Sequence, residues 1–295
     1  MLAAPALALE PVQLSKSAWF VRGETGLPSQ ANRGFTSNAG FVVTREGVVV
    51  FDSLGTPVLG EELLAAIRKL TRAPVRRVIV SHYHADHFYG LAAFKQAGAE
   101  IWAHAAARAY LASAAAKLRL EERGRTLAPW VPADMRFIPA DHWLSDEESF
   151  KLGGLSFRVL AVGPAHTPED LALLVEEERV LFVGDLMFAG RIPFVGDADS
   201  RTWIEAIDRV VKFEPRVLVG GHGDTSRHAA ADLRLTRDYL VHLRKVMGAA
   251  ANDLIDFEVA YAKADWSRFA HLPAFAAANR RNAFNTYIRM QGGDK

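Results

Sequence analysis

Cysteine is absent from all 295 residues, and that single gap removes disulfides, thiolate metal ligands and a thiol nucleophile together. Any metal site must be built from His, Asp and Glu. An excess of one charge is missing too: 35 Lys and Arg face 34 Asp and Glu, with no long basic run, so nucleic acid is not expected as a partner. No segment approaches the ~18 apolar residues of a membrane span, and no internal repeat of fixed period is visible. With half of its residues hydrophobic, the chain can bury one large core, or a core plus a small extension.

The apolar start, Met1-Leu2-Ala3-Ala4-Pro5-Ala6-Leu7-Ala8, ends in the small-x-small spacing of a cleavage site but lacks a positive n-region. Residues 1–11 are therefore expected to be a signal-peptide remnant, and an exported, periplasmic location is favoured over a cytoplasmic one.

Against these absences stands one dense run, Ser81-His82-Tyr83-His84-Ala85-Asp86-His87-Phe88-Tyr89-Gly90, directly after the strand pattern Val75, Val78, Ile79, Val80. His82 and His84 differ by two, so at a strand end both side chains leave the same face and can reach one cation. Asp86 and His87 fall where the chain turns into a helix, placed to take a second. Imidazole and carboxylate donors suit zinc first, with manganese or iron as competitors.

Elsewhere the chain predicts strands at 18–21, 39–44 and 48–52, a mobile Gly-, Ser- and Asn-rich loop at 22–38, a helix at 57–71 and the strand at 75–80. A helix at 87–97, a strand near Ile101 and a long Ala-rich helix at 105–122 follow. Strands are then expected at 136–138, 149–152, 156–162, 171–175 and 180–183, a helix at 201–213 and a strand at 216–219. Beyond Gly223 the pattern is almost wholly helical, with a last helix opening at Pro273, either as a cover over the site or as an oligomerisation element. Two mixed β-α halves fit an α/β sandwich of two sheets flanked by helices.

Three further strand tips carry metal-capable side chains: His166 after the strand ending near Val162, Asp185 after Val183-Gly184, and His222 after Gly220-Gly221. Binding groups on loops held by a rigid sheet are what such a site requires.

With these residues in place, residues 12–225 resemble the metallo-β-lactamase fold superfamily. The resemblance implies an αββα sandwich of two mixed sheets with metals at one edge, and residues 226–295 as a helical C-terminal extension. It implies that His82, His84 and His166 bind one zinc, that Asp86, His87 and His222 bind a second, and that Asp185 bridges both. Two cations about 3.5–4 Å apart lower the pKa of a shared water from ~15.7 toward neutrality. The expected enzyme is thus a hydrolase whose bridging hydroxide cleaves a thioester, ester or lactam-like carbonyl of a small molecule, with Asp86 also holding the nucleophile.

Without the Cys ligand of one large group of zinc β-lactamases, and with Asp185 in a Gly-Asp pair, the chain is more similar to thioesterase-like branches, leaving β-lactam cleavage as a promiscuous activity. The runs 190–200 and 279–284 look like exported zinc metallohydrolases of quinoprotein-relay and sulfur-oxidation gene clusters. An iron-dependent persulfide dioxygenase and an accessory metal protein of a periplasmic redox system remain as alternatives. Arg191, six residues past Asp185, is a candidate for a substrate carboxylate or sulfonate; Phe194, Ile192 and Tyr83 are candidate pocket walls under a 22–38 flap. Asp52 is expected to orient a ligand histidine, and Trp203, Ile204, Ile207, Val210 and Val211 to form a core helix face.

Overall fold

A computed structural model describes residues 9–196 and 198–293; the apolar segment 1–8, on which the signal-peptide expectation rests, lies outside them. One sheet runs in sequence order: β1 (Val12–Gln13), β2 (Ala18–Val21), β3 (Ala39–Val43), β4 (Val48–Phe51), β5 (Val75–Ile79), β6 (Glu100–His104) and β7 (His142–Leu144). Pairing is antiparallel through β4 and parallel from β4 to β7. The second sheet holds β8 (Glu148–Leu152), β9 (Leu155–Ala161), β10 (Leu171–Val175), β11 (Val180–Phe182), β12 (Val217–Val219) and β13 (Thr225–Ser226), antiparallel except for β11 with β12.

Alternation of side chains explains the layering. On β4, Val49 and Phe51 face the other sheet, where they meet Phe157, Leu173 and Phe182. Val48 and Val50 face the opposite way, into a core closed by α1 (Pro57–Leu70). The sheets approach closely enough that a Cβ on Gly40 would stand 2.1 Å from the Phe182 ring, so only glycine fits there.

The first sheet is covered by α1, α2 (Ala85–Phe88), α3 (Leu91–Gln96), α4 (Ala107–Leu111) and α5 (Ala114–Thr126). Thr56 caps α1 by accepting the Leu59 amide, Pro57 opens it, and Arg68 and Lys69 lie in its last turn, the expected polarity of a helix. The second sheet is covered by α6 (Ser200–Val210), α7 (Ala229–Asn252), α8 (Phe257–Lys263) and α9 (Phe275–Gln291), whose apolar faces form one core with Leu160, Leu181 and Leu218. The result is two mixed sheets flanked by helices, with a helical C-terminal region. Among the described residues, no helix is long and apolar enough to cross a membrane.

Several expectations need correction. The helix expected at 87–97 is two short ones, because Gly90 packs against the backbone of Ser53 and Gly60 with no room for a side chain. The long helix at 105–122 breaks at Ser113, whose hydroxyl caps α5. Residues 136–138 form no strand; the seventh strand begins at His142. His104 ends β6. A short strand, β13, precedes the C-terminal helices, and α9 opens at Phe275 rather than at Pro273. The 22–38 loop is not loose throughout: Thr36, Ser37 and Asn38 are buried against the strand tips.

Candidate metal centre

Four strand ends converge on one edge of the sandwich. β5 delivers Ser81 to His87, β9 leads to His166, the turn after β11 carries Asp185, and β12 leads through Gly220-Gly221 to His222. The Leu171 amide donates to the Ser81 carbonyl at 2.8 Å, stapling the second sheet to the motif of the first. Glycine at 221 is a steric requirement, since a Cβ there would lie 2.0 Å from Asp185 Oδ1.

The seven side chains sort into two sets, His82, His84, His166 and Asp185 in one, Asp86, His87 and His222 in the other. In the first, His84 Nδ1 lies 3.1 Å from His82 Nε2 and 3.0 Å from His166 Nε2. Asp185 Oδ2 stands 3.4 Å from His166 Nε2 and 3.9 Å from His82 Nε2. In the second, His222 Nε2 is 3.4 Å and His87 Nε2 3.8 Å from Asp86 Oδ2. Asp185 turns its other oxygen, Oδ1, toward both imidazoles at 3.3 Å. One carboxylate therefore faces each set with a different oxygen.

The donor set fits divalent cations. Metal–nitrogen bonds of about 2.0–2.1 Å give tetrahedral edges of about 3.3–3.4 Å, the scale of these separations. Among the described residues, His87 Nε2 and Asp185 Oδ1 are buried without a hydrogen-bond partner, an arrangement that is costly unless a cation satisfies them.

Their surroundings point the lone pairs inward. The Thr36 carbonyl accepts from His222 Nδ1 at 2.7 Å; since a carbonyl only accepts, the proton sits on Nδ1 and Nε2 is free to ligate. Asp52 Oδ2 accepts from His87 Nδ1 and from Ser81 Oγ, both at 2.8 Å, while its Oδ1 accepts the Ser81 amide at 2.7 Å. Ser81 Oγ lies 2.9 Å from His82 Nδ1. Asp52 thus orients His87, at a backbone φ of 64° held by these bonds. His166 is braced differently, with its ring 5.2 Å from Trp203 and 5.9 Å from Phe188 and no partner for Nδ1 among the described residues.

Burial pushes the His82, His84 and His166 imidazoles below their usual range, His166 to about 3, which keeps them neutral donors. Burial alone would raise Asp185, but His222 and His87 hold its carboxyl well below the usual carboxylate range. On His87 burial opposes charge, yet Asp185, Asp86 and Asp52 raise it well above an ordinary imidazole. The same three carboxylates that favour positive charge on His87 would favour a cation beside its Nε2.

The expected substrate contacts divide. Tyr83 is 1 % exposed, with its ring 4.6 Å from Phe88 and 6.4 Å from Trp143; it is core packing, not a pocket wall, and Ile192 is likewise buried. Phe194 is half-buried, with the Arg191 guanidinium 5.4 Å from its ring centre. Arg191 is 4 % exposed, and its Nε has no partner among the described residues. Burial lowers its pKa, against the pull of Asp185 and Asp86. Trp203, Ile207 and Val210 are buried in the core, with Ile204 and Val211 partly so, and Trp203 Nε1 donates to the Leu186 carbonyl. Ser81, Asn38 and the Thr36 carbonyl were not anticipated. Ser81 stood in the motif itself, but a main-chain carbonyl leaves no mark in a sequence.

The profile of the metallo-beta-lactamase superfamily matches residues 32–222. The chain is 26% identical over 195 residues to a type 2 metallo-beta-lactamase of Elizabethkingia meningoseptica, covering 64% of this chain and 70% of that protein. It is 31% identical over 171 residues to the hydroxyacylglutathione hydrolase GloC of Haemophilus influenzae, covering 55% and 75% respectively. The sec-alkylsulfatase Pisa1 from Pseudomonas superposes on 97% of this chain with a TM-score of 0.75 at 18% identity, and this chain spans 50% of that protein.

Proposed function

The chain belongs to the metallo-beta-lactamase superfamily, and from that premise we propose that it is a two-metal hydrolase, zinc-loaded, acting on a thioester, ester or lactam-like carbonyl. The observation that carries this reading is Asp185, whose Oδ1 and Oδ2 face separate donor sets at 3.3 and 3.4 Å. Two cations held by these sets would activate water for attack and polarise the carbonyl under attack.

The chain's own groups have definite tasks in that reaction. His82, His84 and His166 hold the first site, Asp86, His87 and His222 the second, and Asp185 sets the spacing between them. Asp86, with part of its side chain exposed, is the acid placed to accept a hydrogen bond from the attacking water. Arg191 supplies positive charge beside the site for an anionic part of the substrate. Export to the periplasm belongs to the same reading and rests on the Ala6-Leu7-Ala8 spacing alone.

Sulfate-ester cleavage is the second reading, supported by the likeness to an alkylsulfatase across nearly the whole chain, C-terminal helices included, and by the buried Arg191. Metal analysis of protein purified without added metal, joined to turnover of a thioester, a cephalosporin, primary and secondary alkyl sulfates and glutathione persulfide, separates these. Two zinc per chain with thioester cleavage is the expected result. Alkyl sulfate turnover alone would favour the second reading; one iron with oxygen consumption would defeat both.

A further inference from the structure

The segment between Phe188 and α6 has two anchors, and only one belongs to the metal centre. At its start the Ala189 amide donates to the His222 carbonyl at 3.1 Å, and the Phe188 ring stacks on His222 with centroids 5.1 Å apart. Its far end is held by α9. Asn282, 2 % exposed, accepts the Val195 amide at 2.9 Å and donates to the Pro193 carbonyl at 2.7 Å and to the Tyr239 hydroxyl at 3.0 Å. Asn285 Nδ2 donates to the Gly196 carbonyl at 2.8 Å, and the Ile192 amide to the Pro273 carbonyl at 3.0 Å. Tyr239 in turn donates to Asn279 Oδ1 at 2.9 Å, tying α7 to α9.

Arg191 and Phe194 lie between these anchors. We propose that Asn282 is a positioning residue, through which α9 fixes the 190–196 loop and so sets where Arg191 meets an anionic group of the substrate. This rests on the reading of Arg191 as a substrate contact given above. A buried guanidinium with no carboxylate partner among the described residues is costly by itself, and a loop held by two bonds to one amide side chain has few other places to put it. The helical region after residue 226 thereby becomes part of the recognition apparatus, acting from behind the loop.

The test uses the full chain loaded with zinc and reads the binding of succinate and acetate by calorimetry, with metal content measured alongside. Succinate can engage the metals with one carboxylate and Arg191 with the other, whereas acetate has only the first. Asn282→Ala should weaken succinate roughly tenfold, the scale of one lost charge-assisted bond, with two metals retained and acetate unchanged. Arg191→Ala should do the same, and the double variant should bind no more weakly than Arg191→Ala, because Asn282 acts through Arg191. Multiplying effects, an unchanged succinate affinity in Asn282→Ala, or a wild type that does not prefer succinate to acetate would each overturn the proposal. If Asn282→Ala does not fold, Asn285→Ala carries the test with an expected loss of about threefold, and no loss overturns it. Thioester turnover is read in the same wild-type preparation: its absence alongside the expected succinate pattern defeats the hydrolase reading and leaves the role of Asn282 standing.

Discussion

Within the candidate metal centre, His166 of the first donor set and the two histidines of the second are oriented by different physics. On the second set, His87 and His222 have their outer nitrogens held by the Asp52 carboxylate and the Thr36 carbonyl. On the first, His166 has no such bond and stands between aromatic rings, with Trp203 at 5.2 Å. Hydrogen bonds fix an imidazole in angle and tautomer, whereas packing fixes only its place. His87 and His222 should therefore fail when a polar partner is removed, as should His82 of the first set, whose Nδ1 lies 2.9 Å from Ser81 Oγ, and His166 when a shape is changed.

Asp185→Asn strikes what the sets share and should have the largest effect. The amide keeps the shape but cannot offer an anionic oxygen to both sides, so metal content should fall from two toward one per chain. Turnover should drop by roughly 10² to 10³. Unchanged stoichiometry and rate would remove the bridging role, and with it the two-metal reading.

Asp52→Ala separates the sets. It frees His87 Nδ1 and leaves the Ser81 amide and hydroxyl without their acceptor. Second-site affinity should fall roughly 10- to 100-fold, while the first site, which Asp52 reaches only through Ser81 and His82, should lose less, as read by competition with a chromophoric chelator. Equal loss at both sites would mean that Asp52 supports the whole strand tip rather than one ligand. Trp203→Phe is the mirror experiment: the Leu186 carbonyl loses its donor and a gap opens behind His166. About 1–3 kcal/mol of stability should be lost, and first-site affinity should fall less than tenfold, with the second site untouched.

This contrast also explains what could be read in advance. The spacing of His82, His84, Asp86 and His87 and the strand tips at His166, Asp185 and His222 exposed the donor set, because side-chain chemistry and strand period are both written in residue identity. Val48 to Phe51 marked a strand for the same reason, and the structure buries all four residues. Asp52 was legible only through the family resemblance, which implied a supporting carboxylate at that strand end. The Thr36 carbonyl was not, since every residue has one. Nor was the break at Gly90, which depends on Gly60, thirty residues away. Tyr83, expected as a pocket wall, lies in the core, while its neighbours His82 and His84 stand at the edge among the candidate ligands.

The smallest expected effect tests what holds the Thr36 carbonyl in place. The loop that carries it has a surface anchor, the ion pair of Arg22 with Asp224 at 3.0 Å, whose side chains are 54% and 69% exposed. It also has a buried one: Asn38 accepts the Gly23 amide at 3.0 Å and donates at 2.9 Å to the Gly220 and Gly223 carbonyls on either side of His222. An exposed pair contributes about 0–1 kcal/mol, while an unsatisfied buried polar group costs about 1–3 kcal/mol. Asn38→Ala should accordingly loosen the loop and weaken the second metal by roughly threefold to tenfold, whereas Arg22→Ala should leave both sites within error. If Arg22→Ala instead lowers second-site affinity as much as Asn38→Ala does, the loop is held from its surface end. The carbonyl that orients His222 would then be fixed by electrostatics, and its hold would weaken with added salt.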